Sequence, residues 1–321
     1  MTTLVTGAGL IGTAFAQHAL RRGERVVFLD PEPRADFLEK KLGDTGYALV
    51  RADIRDLPAM VEAIRKHAVE TVVHTAGLIG SRVQHSLGLG FDINLGGTRN
   101  VAEAVRLGGA RRLVHISTFG VYDSRRTPTG PVDEDFPRGA VRGYGNYKAA
   151  QELILEAYAA EHGFELIMLR PANVFGLGHF WSGSSGGAKM QELILAGLEG
   201  RVARILSSEA IANEYVYAKD VGRAVDLAVT GPLPPVTAFN IGNGAVLSFD
   251  EVVNVVRSLL PALQVEVLPG ETRKSKTAPL DISRAQQHLG WQPQFSIGSA
   301  FEDYIAELRT ASAELTAARA R

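Results

Sequence analysis

The sequence contains no cysteine, which excludes disulfides, thiolate metal sites and cysteine nucleophiles. It also lacks an excess of either charge, because 34 lysines and arginines face 35 aspartates and glutamates. No basic run exceeds a pair, so nucleic acid and anionic membranes are not expected partners. No apolar stretch approaches membrane-spanning length, and the first residues lack the basic stretch of a signal peptide. We therefore expect a soluble, cytoplasmic protein.

Metal-binding patterns are also missing. The eight histidines show none of the spacings, such as H-E-x-x-H, that place two imidazoles on one face of a helix. We therefore expect no metal site.

What the sequence does contain is a regular alternation of short apolar runs and helix-like segments. The runs include "TLVTG", "RVVFLD", "TVVHTAG", "RLVHIST" and "FELIMLRP", and this alternation predicts an α/β fold with a doubly wound, Rossmann-type parallel sheet. After about Pro171, glycine, serine and proline break the pattern. The predicted organisation is a dinucleotide-binding domain over 1–175 with a returning segment at about 214–243, a smaller C-terminal substrate-binding domain over 176–213 and 244–310, and a tail over 311–321.

A glycine loop follows the first apolar run. Gly7, Gly9 and Gly12 stand in G-x-G-x-x-G order, with Leu10 and Ile11 between the last two. The first glycine permits a tight turn, the second lets a pyrophosphate approach the backbone, and the third lets the helix pack on the strand. The loop predicts a dinucleotide site.

An acidic residue completes this pattern. Asp30 ends the second apolar run, eighteen residues after Gly12, where a carboxylate can accept hydrogen bonds from both hydroxyls of an adenosine ribose. The same carboxylate would repel a ribose phosphate, so NAD is favoured over NADP as the cofactor. Arg34, four residues further on, leaves some use of NADP open.

The segment "RGYGNYKAAQE" contains two tyrosines near one lysine. On a helix, Tyr144 and Lys148 share a face because they are four residues apart, whereas Tyr147 would be turned away. A phenol is a weak base at neutral pH, but a neighbouring ammonium and an oxidised nicotinamide both favour the phenolate. Tyr144 is therefore the candidate general base.

Several further stretches, in order, resemble one known family over nearly the whole chain. They include "TGAGLIG", "VVHTAG", "NLGGTRNVAEA", "VHISTFGVYD", "YGNYKAAQE", "LRPANVFGLG" and "EYVYAKDVGRAV". The family is the extended short-chain dehydrogenases/reductases, also called the NAD-dependent epimerase/dehydratase family. The resemblance implies a catalytic set of Thr118, Tyr144 and Lys148. Thr118 would orient the substrate alcohol, and Lys148 would bind the nicotinamide ribose and lower the pKa of Tyr144. A hydroxyl that merely caps the strand end is the alternative for Thr118 and for its neighbour Ser117.

The resemblance also implies cofactor contacts at the ends of later strands. These are Asp53 and Ile54 beside the adenine, Thr75, Ala76 and Gly77 behind the fourth strand, Asn94 on the next helix, and Pro171 and Asn173 after the sixth strand. Candidate substrate contacts lie in the loops around them. These are Ser81, Arg82, His85, Ser117, Thr118, Asn173, His179 and Trp181, although loop residues are often polar without binding anything.

The chain departs from the family pattern in three places. The glycine loop is one residue shorter, which should still bind a dinucleotide. Phe119 and Gly120 follow Thr118 where family dehydratases place acids, so we do not expect a dehydration. Two arginines that hold the diphosphate of nucleotide sugars are replaced, by the Asn213–Glu214 pair and by Leu268. These losses favour a smaller substrate without a nucleotide, unless the surface arginines Arg201, Arg204 or Arg273 compensate.

The leading hypothesis is an NAD-dependent oxidoreductase that transfers hydride at a secondary alcohol carbon of a sugar, sugar acid or similar small molecule. One alternative is an epimerase that retains its cofactor, and another is a non-catalytic NAD-sensing module. The resemblance further implies a homodimer built from the helix after Asn94 and the helix that carries Lys148, with Leu153, Ile154 and Ala157 as apolar candidates.

Overall fold

A seven-stranded parallel sheet is the centre of the fold. The computed structural model describes residues 1–44, 46–80, 83, 85–139, 143–178, 185–271 and 278–319. The strands are β1 (Thr2–Thr6), β2 (Arg25–Leu29), β3 (Tyr47–Val50), β4 (Thr71–His74), β5 (Arg112–Ile116), β6 (Glu165–Pro171), β7 (Asn173–Phe175), β8 (Val202–Leu206), β9 (Asn213–Tyr217), β10 (Ala238–Ile241), β11 (Val246–Leu247) and β12 (Gln264–Leu268).

Helices connect and cover these strands. They are α1 (Leu10–Arg21), α2 (Ala35–Leu42), α3 (Leu57–Lys66), α4 (Leu87–Gly90), α5 (Gly97–Gly108), α6 (Gly143–His162), α7 (Ser185–Glu199), α8 (Ala218–Thr230), α9 (Phe249–Leu259), α10 (Ser283–Leu289) and α11 (Ile297–Arg319). A π-helical segment, Phe91–Gly96, joins α4 to α5, and a 3₁₀ turn, Phe119–Val121, follows β5.

The strand order in the main sheet is β10-β6-β5-β4-β1-β2-β3, and each neighbouring pair is parallel. This confirms the predicted doubly wound fold. The strands β4 and β5 are buried at every residue, as expected for strands covered on both faces. Since the carboxyl ends of parallel strands meet at one edge, the loops after β1, β4, β5 and β6 gather there.

Two helical layers bury the faces of this sheet. On one face α1 packs against α8, with Phe15 and Val221 in the core. On the other face α3 packs against α5, and α5 against α6, with Ile64, Val101 and Leu155 in the core. These contacts hold α6, the helix that carries Tyr144 and Lys148, against the central strands.

The second half of the chain builds a smaller unit and returns one strand to the sheet. That strand is β10, whereas β9, within the predicted returning segment, pairs with β7 and β11 in a separate three-stranded sheet. The smaller unit has its own core, which includes Phe175, Tyr217 and Phe301. The last helix, α11, runs past residue 311 without a break, so the predicted tail is continuous with it. Alanine-rich sequence of this kind has high helix propensity.

None of the helices in the described ranges is both long and apolar enough to cross a lipid bilayer.

Candidate active site

The glycine loop lies between β1 and α1 and has the geometry that its spacing predicts. Gly7 has a φ of +89°, a left-handed conformation that side-chain-bearing residues rarely adopt. A Cβ on Gly12 would lie 2.6 Å from the carbonyl oxygen of Gly7, so only glycine lets α1 approach the strand this closely. A Cβ on Gly9 would meet no atom within 4 Å. The open side of the loop therefore faces the N-terminus of α1, where unpaired backbone N–H groups favour an anion.

Asp30 is anchored against this loop. Its Oδ2 accepts a hydrogen bond from the Ala8 N–H at 2.9 Å, and its Oδ1 accepts one from the Glu32 N–H at 2.8 Å. The carboxylate is thereby held at the end of β2, beside the turn of the glycine loop. Arg34 lies farther out and pairs with Asp36 at 3.4 Å.

The adenine-side candidates lie after β3. Asp53 forms a two-pronged ion pair with Arg55, at 2.9 Å and 2.8 Å, and the hydrogen bonds from Arg55 lower the pKa of Asp53. Ile54 is buried and packs against Gly97 at the start of α5. Asn100 on α5 donates to the backbone carbonyls of both Ile54 and Arg55, so this loop is held against α5.

The loop after β4 is tied both to β1 and to the π-helical segment. The Thr75 hydroxyl donates to the carbonyl of Thr6 at 2.6 Å. The buried side chain of Asn94 brackets Leu78, because its Oδ1 accepts from the Leu78 N–H at 2.7 Å and its Nδ2 donates to the Leu78 carbonyl at 3.0 Å. Ala76 and Gly77 lie between these two anchors. Asn94 therefore supports the loop with both ends of its amide.

The elements that carry the three catalytic candidates meet where the end of β5 adjoins α6. Lys148 is buried, and its ammonium donates to the carbonyl of Ile116 at 2.7 Å, two residues before Thr118. Thr118 caps the 3₁₀ turn, since its Oγ1 accepts from the Gly120 N–H at 3.1 Å. The Thr118 hydroxyl hydrogen remains available to a substrate oxygen. Tyr144 is one helical turn before Lys148.

Burial alters both ionisable groups on α6. Desolvation lowers the pKa of Lys148 to about 8, although the charge of Glu152 opposes the shift. Desolvation also raises the pKa of the half-buried Tyr144 phenol above its ordinary value. At neutral pH Lys148 is therefore still mostly charged and Tyr144 is protonated, so the phenol needs a further positive charge nearby to act as a base.

Tyr147 points elsewhere, as the helical spacing predicts. Its hydroxyl donates to the carbonyl of Leu87 at 2.7 Å, and its ring packs against Gly90 of α4. This tyrosine joins α6 to α4 and does not share the face of Lys148.

Ser117 does not join the catalytic group. Its hydroxyl donates to the carboxylate of Glu152 at 2.5 Å, and both residues are buried. Arg170 on β6 forms a paired contact with the same carboxylate, at 2.9 Å and 2.7 Å, and Arg138 adds a second cation at 3.0 Å. Ser117 is thus part of a buried ion cluster behind β5, which favours the structural alternative for this hydroxyl.

Asn173, one of the substrate-side candidates, lies on β7. Its Nδ2 donates to the carbonyl of Glu214 at 3.0 Å and lies 3.4 Å from the Oδ1 of Asn213. The Glu214 carboxylate is buried and accepts from the backbone N–H groups of Gly244 and Leu280. The resemblance implies an arginine at the Asn213–Glu214 pair. In the structure the Asn213 amide faces the Asn173 amide, and the Glu214 carboxylate binds backbone N–H groups. His85 is exposed beside α4. The remaining candidates, Ser81, Arg82, His179 and Trp181, lie outside the described residues, as does Arg273.

A buried cation in the smaller unit was not predicted. Lys189 on α7 is only 2 % exposed, and its ammonium donates to the carbonyl of Glu209 at 2.7 Å. The ammonium lies 5.4 Å from the ring centre of Tyr215 and 5.5 Å from that of Phe249. Burial lowers the pKa of Lys189 to about 8. The only sequence signal was a lone lysine in the apolar segment "GGAKMQELILA".

Of the three arginines that we considered as replacements, the two that the structure describes are surface residues. Arg201 pairs with Glu192 and Glu199, and Arg204 pairs with Glu266 while remaining largely exposed. The charges of such exposed ion pairs are screened by solvent, so they interact only weakly with other groups. Of these described cations, Lys189 is the one that is buried.

Comparison with known proteins identifies the family of this chain. Residues 3–242 match the family model described as the NAD dependent epimerase/dehydratase family. The chain is 31% identical to the UDP-glucose 4-epimerase of Mycolicibacterium smegmatis, over 97% of this chain and 100% of that protein. It is 27% identical to the dTDP-glucose 4,6-dehydratase of Xanthomonas campestris, over 95% of this chain and 91% of that one.

A solved structure of a similar protein has the same fold. The UDP-glucose 4-epimerase of Thermus thermophilus, in complex with NAD, superposes with a TM-score of 0.83 at 26% identity, covering 96% of this chain and 99% of that one.

Proposed function

The chain belongs to the NAD-dependent epimerase/dehydratase family and is an enzyme of the extended short-chain dehydrogenase/reductase type, and we propose that it transfers hydride between NAD and the secondary alcohol carbon of a sugar, sugar acid or similar small hydroxylated substrate. The observation that carries this proposal is the junction of β5 and α6. There the Lys148–Ile116 hydrogen bond holds Thr118 and the Tyr144 helix together, so a substrate hydroxyl can meet a proton acceptor and a hydrogen-bond donor at once.

The residues present fit NAD. The glycine loop leaves open space in front of Gly9, and the Asp30 carboxylate stands beside the turn that would hold the pyrophosphate. The loop after β4, from Thr75 to Gly77, and Asp53 with Ile54 would line the rest of the cofactor. Lys148 would reach the nicotinamide ribose. Bound NAD supplies a hydride acceptor, and its oxidised ring adds the positive charge that favours a phenolate.

The residues of this chain divide the proton chemistry between them. In the direction of oxidation, the Tyr144 phenolate takes the proton of the substrate hydroxyl, and the carbon that bears this hydroxyl loses a hydride. Thr118 donates a hydrogen bond to the oxygen as it becomes a carbonyl. Lys148 stays charged below about pH 8 and stabilises the phenolate by its charge. In reduction the same groups act in reverse, with Tyr144 as the proton donor.

Cofactor binding tests this proposal. The protein is purified without added nucleotide and denatured, any released dinucleotide is identified, and NAD and NADP are titrated into stripped protein. We expect NAD to bind at least about 10-fold more tightly than NADP, because Asp30 would stand against a ribose phosphate. Binding of neither dinucleotide would contradict the proposal.

A second candidate function is an epimerase that retains its cofactor and acts on a nucleotide sugar. The observation that favours it is Lys189, a desolvated cation with one hydrogen bond to Glu209 and two further N–H donors. Such a group can hold a phosphate in place of the replaced arginines. The similarity to the epimerase of M. smegmatis points the same way. Stoichiometric NAD that survives purification would support this candidate, and a protein that is purified empty would support net oxidation or reduction.

Replacement of Lys189 by methionine is expected to raise the KM for a nucleotide sugar by about 10–100-fold, since a charge-assisted hydrogen bond contributes about 1.5–3 kcal/mol. UDP-glucose and dTDP-glucose are the first substrates to test. The affinity for NAD should not change. The matched control is Lys41→Met, which removes a half-buried lysine that pairs with Glu307 at 2.6 Å. Equal KM values for K189M and the wild type would show that Lys189 does not bind the substrate.

We also infer a homodimer. The segment before α5 and the exposed sides of α5 and α6 carry apolar side chains in contact with solvent, namely Leu87, Phe91, Leu107 and Leu153, the last of them 55% exposed. Ala157 is exposed on the same helix as Leu153, and Ile154 is half-buried. Exposed apolar surface of this kind marks an interface. Sedimentation velocity should give the mass of two chains, and the mass of one chain would overturn this inference.

A further inference from the structure

A buried glutamine lies on the catalytic helix. Gln151 is fully buried, three residues after Lys148 and seven after Tyr144, spacings that place all three on one side of α6. Its Nε2 donates to the carbonyl of Asn94 at 2.7 Å and to the hydroxyl of Thr98 at 2.7 Å. Gln151 thus joins the catalytic helix to the π-helical segment and to α5.

Both of these contacts lead on to loops that line the proposed cofactor site. Through Asn94 the link reaches Leu78, which the Asn94 amide holds by two hydrogen bonds. Leu78 directly follows the Thr75–Gly77 loop. A π-helical turn interrupts the regular helical ladder and is frequent at functional sites, so an added hydrogen bond at Asn94 holds the turn in one arrangement.

Through Thr98 the link reaches the glycine loop. Thr98 Oγ1 shares a hydrogen bond of 2.9 Å with His74 Nε2, and His74 Nδ1 shares one of 2.8 Å with Thr6 Oγ1. Thr6 directly precedes Gly7. Burial lowers the pKa of His74 to about 3, so the imidazole is neutral at working pH and this link does not change with protonation.

Resting on the function proposed above, we propose that Gln151 is a positioning residue that sets the catalytic helix in register with the two cofactor loops. The path runs over fully buried side chains, Thr6, His74, Thr98, Asn94 and Gln151 itself. Removing the amide frees α6 from both loops at one point. The distance between the Tyr144 hydroxyl and the substrate hydroxyl oxygen then varies, and misplacement of about 1 Å can lower a rate by about 10²-fold.

The test compares two variants of Gln151 with a matched control. Gln151→Leu keeps the volume and removes both donors, and we expect kcat to fall by about 10–100-fold with a smaller, severalfold weakening of NAD binding. The control, Gln17→Leu, removes a similar bond, from the Gln17 amide to the Lys41 carbonyl at 3.0 Å, on the far turns of α1. Its kcat should stay within about twofold of the wild type.

A pH profile separates positioning from simple loss of stability. Gln151→Glu can donate to Asn94 only when its carboxyl is protonated, because a carboxylate is an acceptor only. The kcat of Q151E should therefore fall as pH rises through the pKa of the new carboxyl, a step that the wild type lacks. All rates are referred to the folded fraction, measured by circular dichroism.

The outcomes are distinct. An active wild type together with a Q151L variant of equal kcat, or a Q151E variant without the added ionisation, overturns the role of Gln151 alone. A wild type that binds no NAD overturns the proposed function itself. A drop in kcat for Q151L and the new ionisation in Q151E, with Q17L unchanged, support the positioning role.

Discussion

Replacement of Tyr144 by phenylalanine is expected to lower kcat by about 10²–10⁴-fold, the usual contribution of a positioned general acid–base group. The ring stays and only the hydroxyl is lost, so the affinity for NAD should remain within about twofold of the wild-type value. The physical reason is that Tyr144, unlike Tyr147, lies one helical turn from Lys148, whose ammonium is buried. Steady-state kinetics and a titration with NAD measure the two effects separately.

The neighbouring tyrosine provides the matched control. Tyr147→Phe removes a hydroxyl three positions along the same helix, where it donates to the carbonyl of Leu87. We expect it to cost about 1 kcal/mol of stability, as for a typical hydrogen bond, and to leave kcat nearly unchanged. If Y144F kept the wild-type kcat, or if Y147F lost as much activity as Y144F, Tyr144 would not be the base.

Replacement of Glu152 by alanine is expected to lower the free energy of unfolding by about 3–5 kcal/mol, because it leaves a buried arginine without its carboxylate partner. Arg170 is almost fully buried and contacts Glu152 through two nitrogens. Burial alone would raise the pKa of Glu152, but the hydrogen bonds and charge of Arg170, with Ser117 and Arg138, outweigh it and lower that pKa. The stability that this shift contributes is present above the unfolded pKa of about 4.3 and is lost as pH falls through the folded value.

Urea unfolding at neutral pH measures the effect of E152A. Glu156→Ala is the control, since Glu156 pairs with Arg138 at the surface, at 2.9 Å, and exposed pairs contribute about 0–1 kcal/mol. The cluster would be unimportant to stability if E152A unfolded at the same urea concentration as E156A.

The sequence predicted those parts of the fold that are determined by residues close together in the chain. The apolar residues of β4 and β5 are enough by themselves to predict a parallel sheet that helices cover on both faces. The tight turn at Gly7 and the close packing at Gly12 follow from the spacing of the glycines and the strand and helix around them. The helical spacing of Tyr144, Tyr147 and Lys148 likewise predicted which tyrosine turns away, because all three lie on one element.

The parts that were missed depend on residues far apart in the chain. Ser117 was expected near the substrate because it precedes Thr118, but Glu152 and Arg170 draw its hydroxyl into the core. Lys189 stood out only as a lone lysine in an apolar segment, and the residues that cover it, Tyr215 and Phe249, come from distant elements. Gln151 was open to prediction in part, since its spacing from Tyr144 and Lys148 was visible, but its partners on the π-helical segment were not.

Following the transferred hydrogen tests the central claim most directly. Protein loaded with NAD is mixed with a substrate found by screening UDP-glucose, dTDP-glucose and free sugars, labelled with deuterium at the carbinol carbon. The reaction is quenched during turnover, and the deuterium content of the released nicotinamide is measured by mass spectrometry. Hydride transfer predicts deuterium on the nicotinamide ring with the wild type and none with Y144F. Turnover that leaves the nicotinamide unlabelled, or that loses the deuterium to water, would contradict the proposed function.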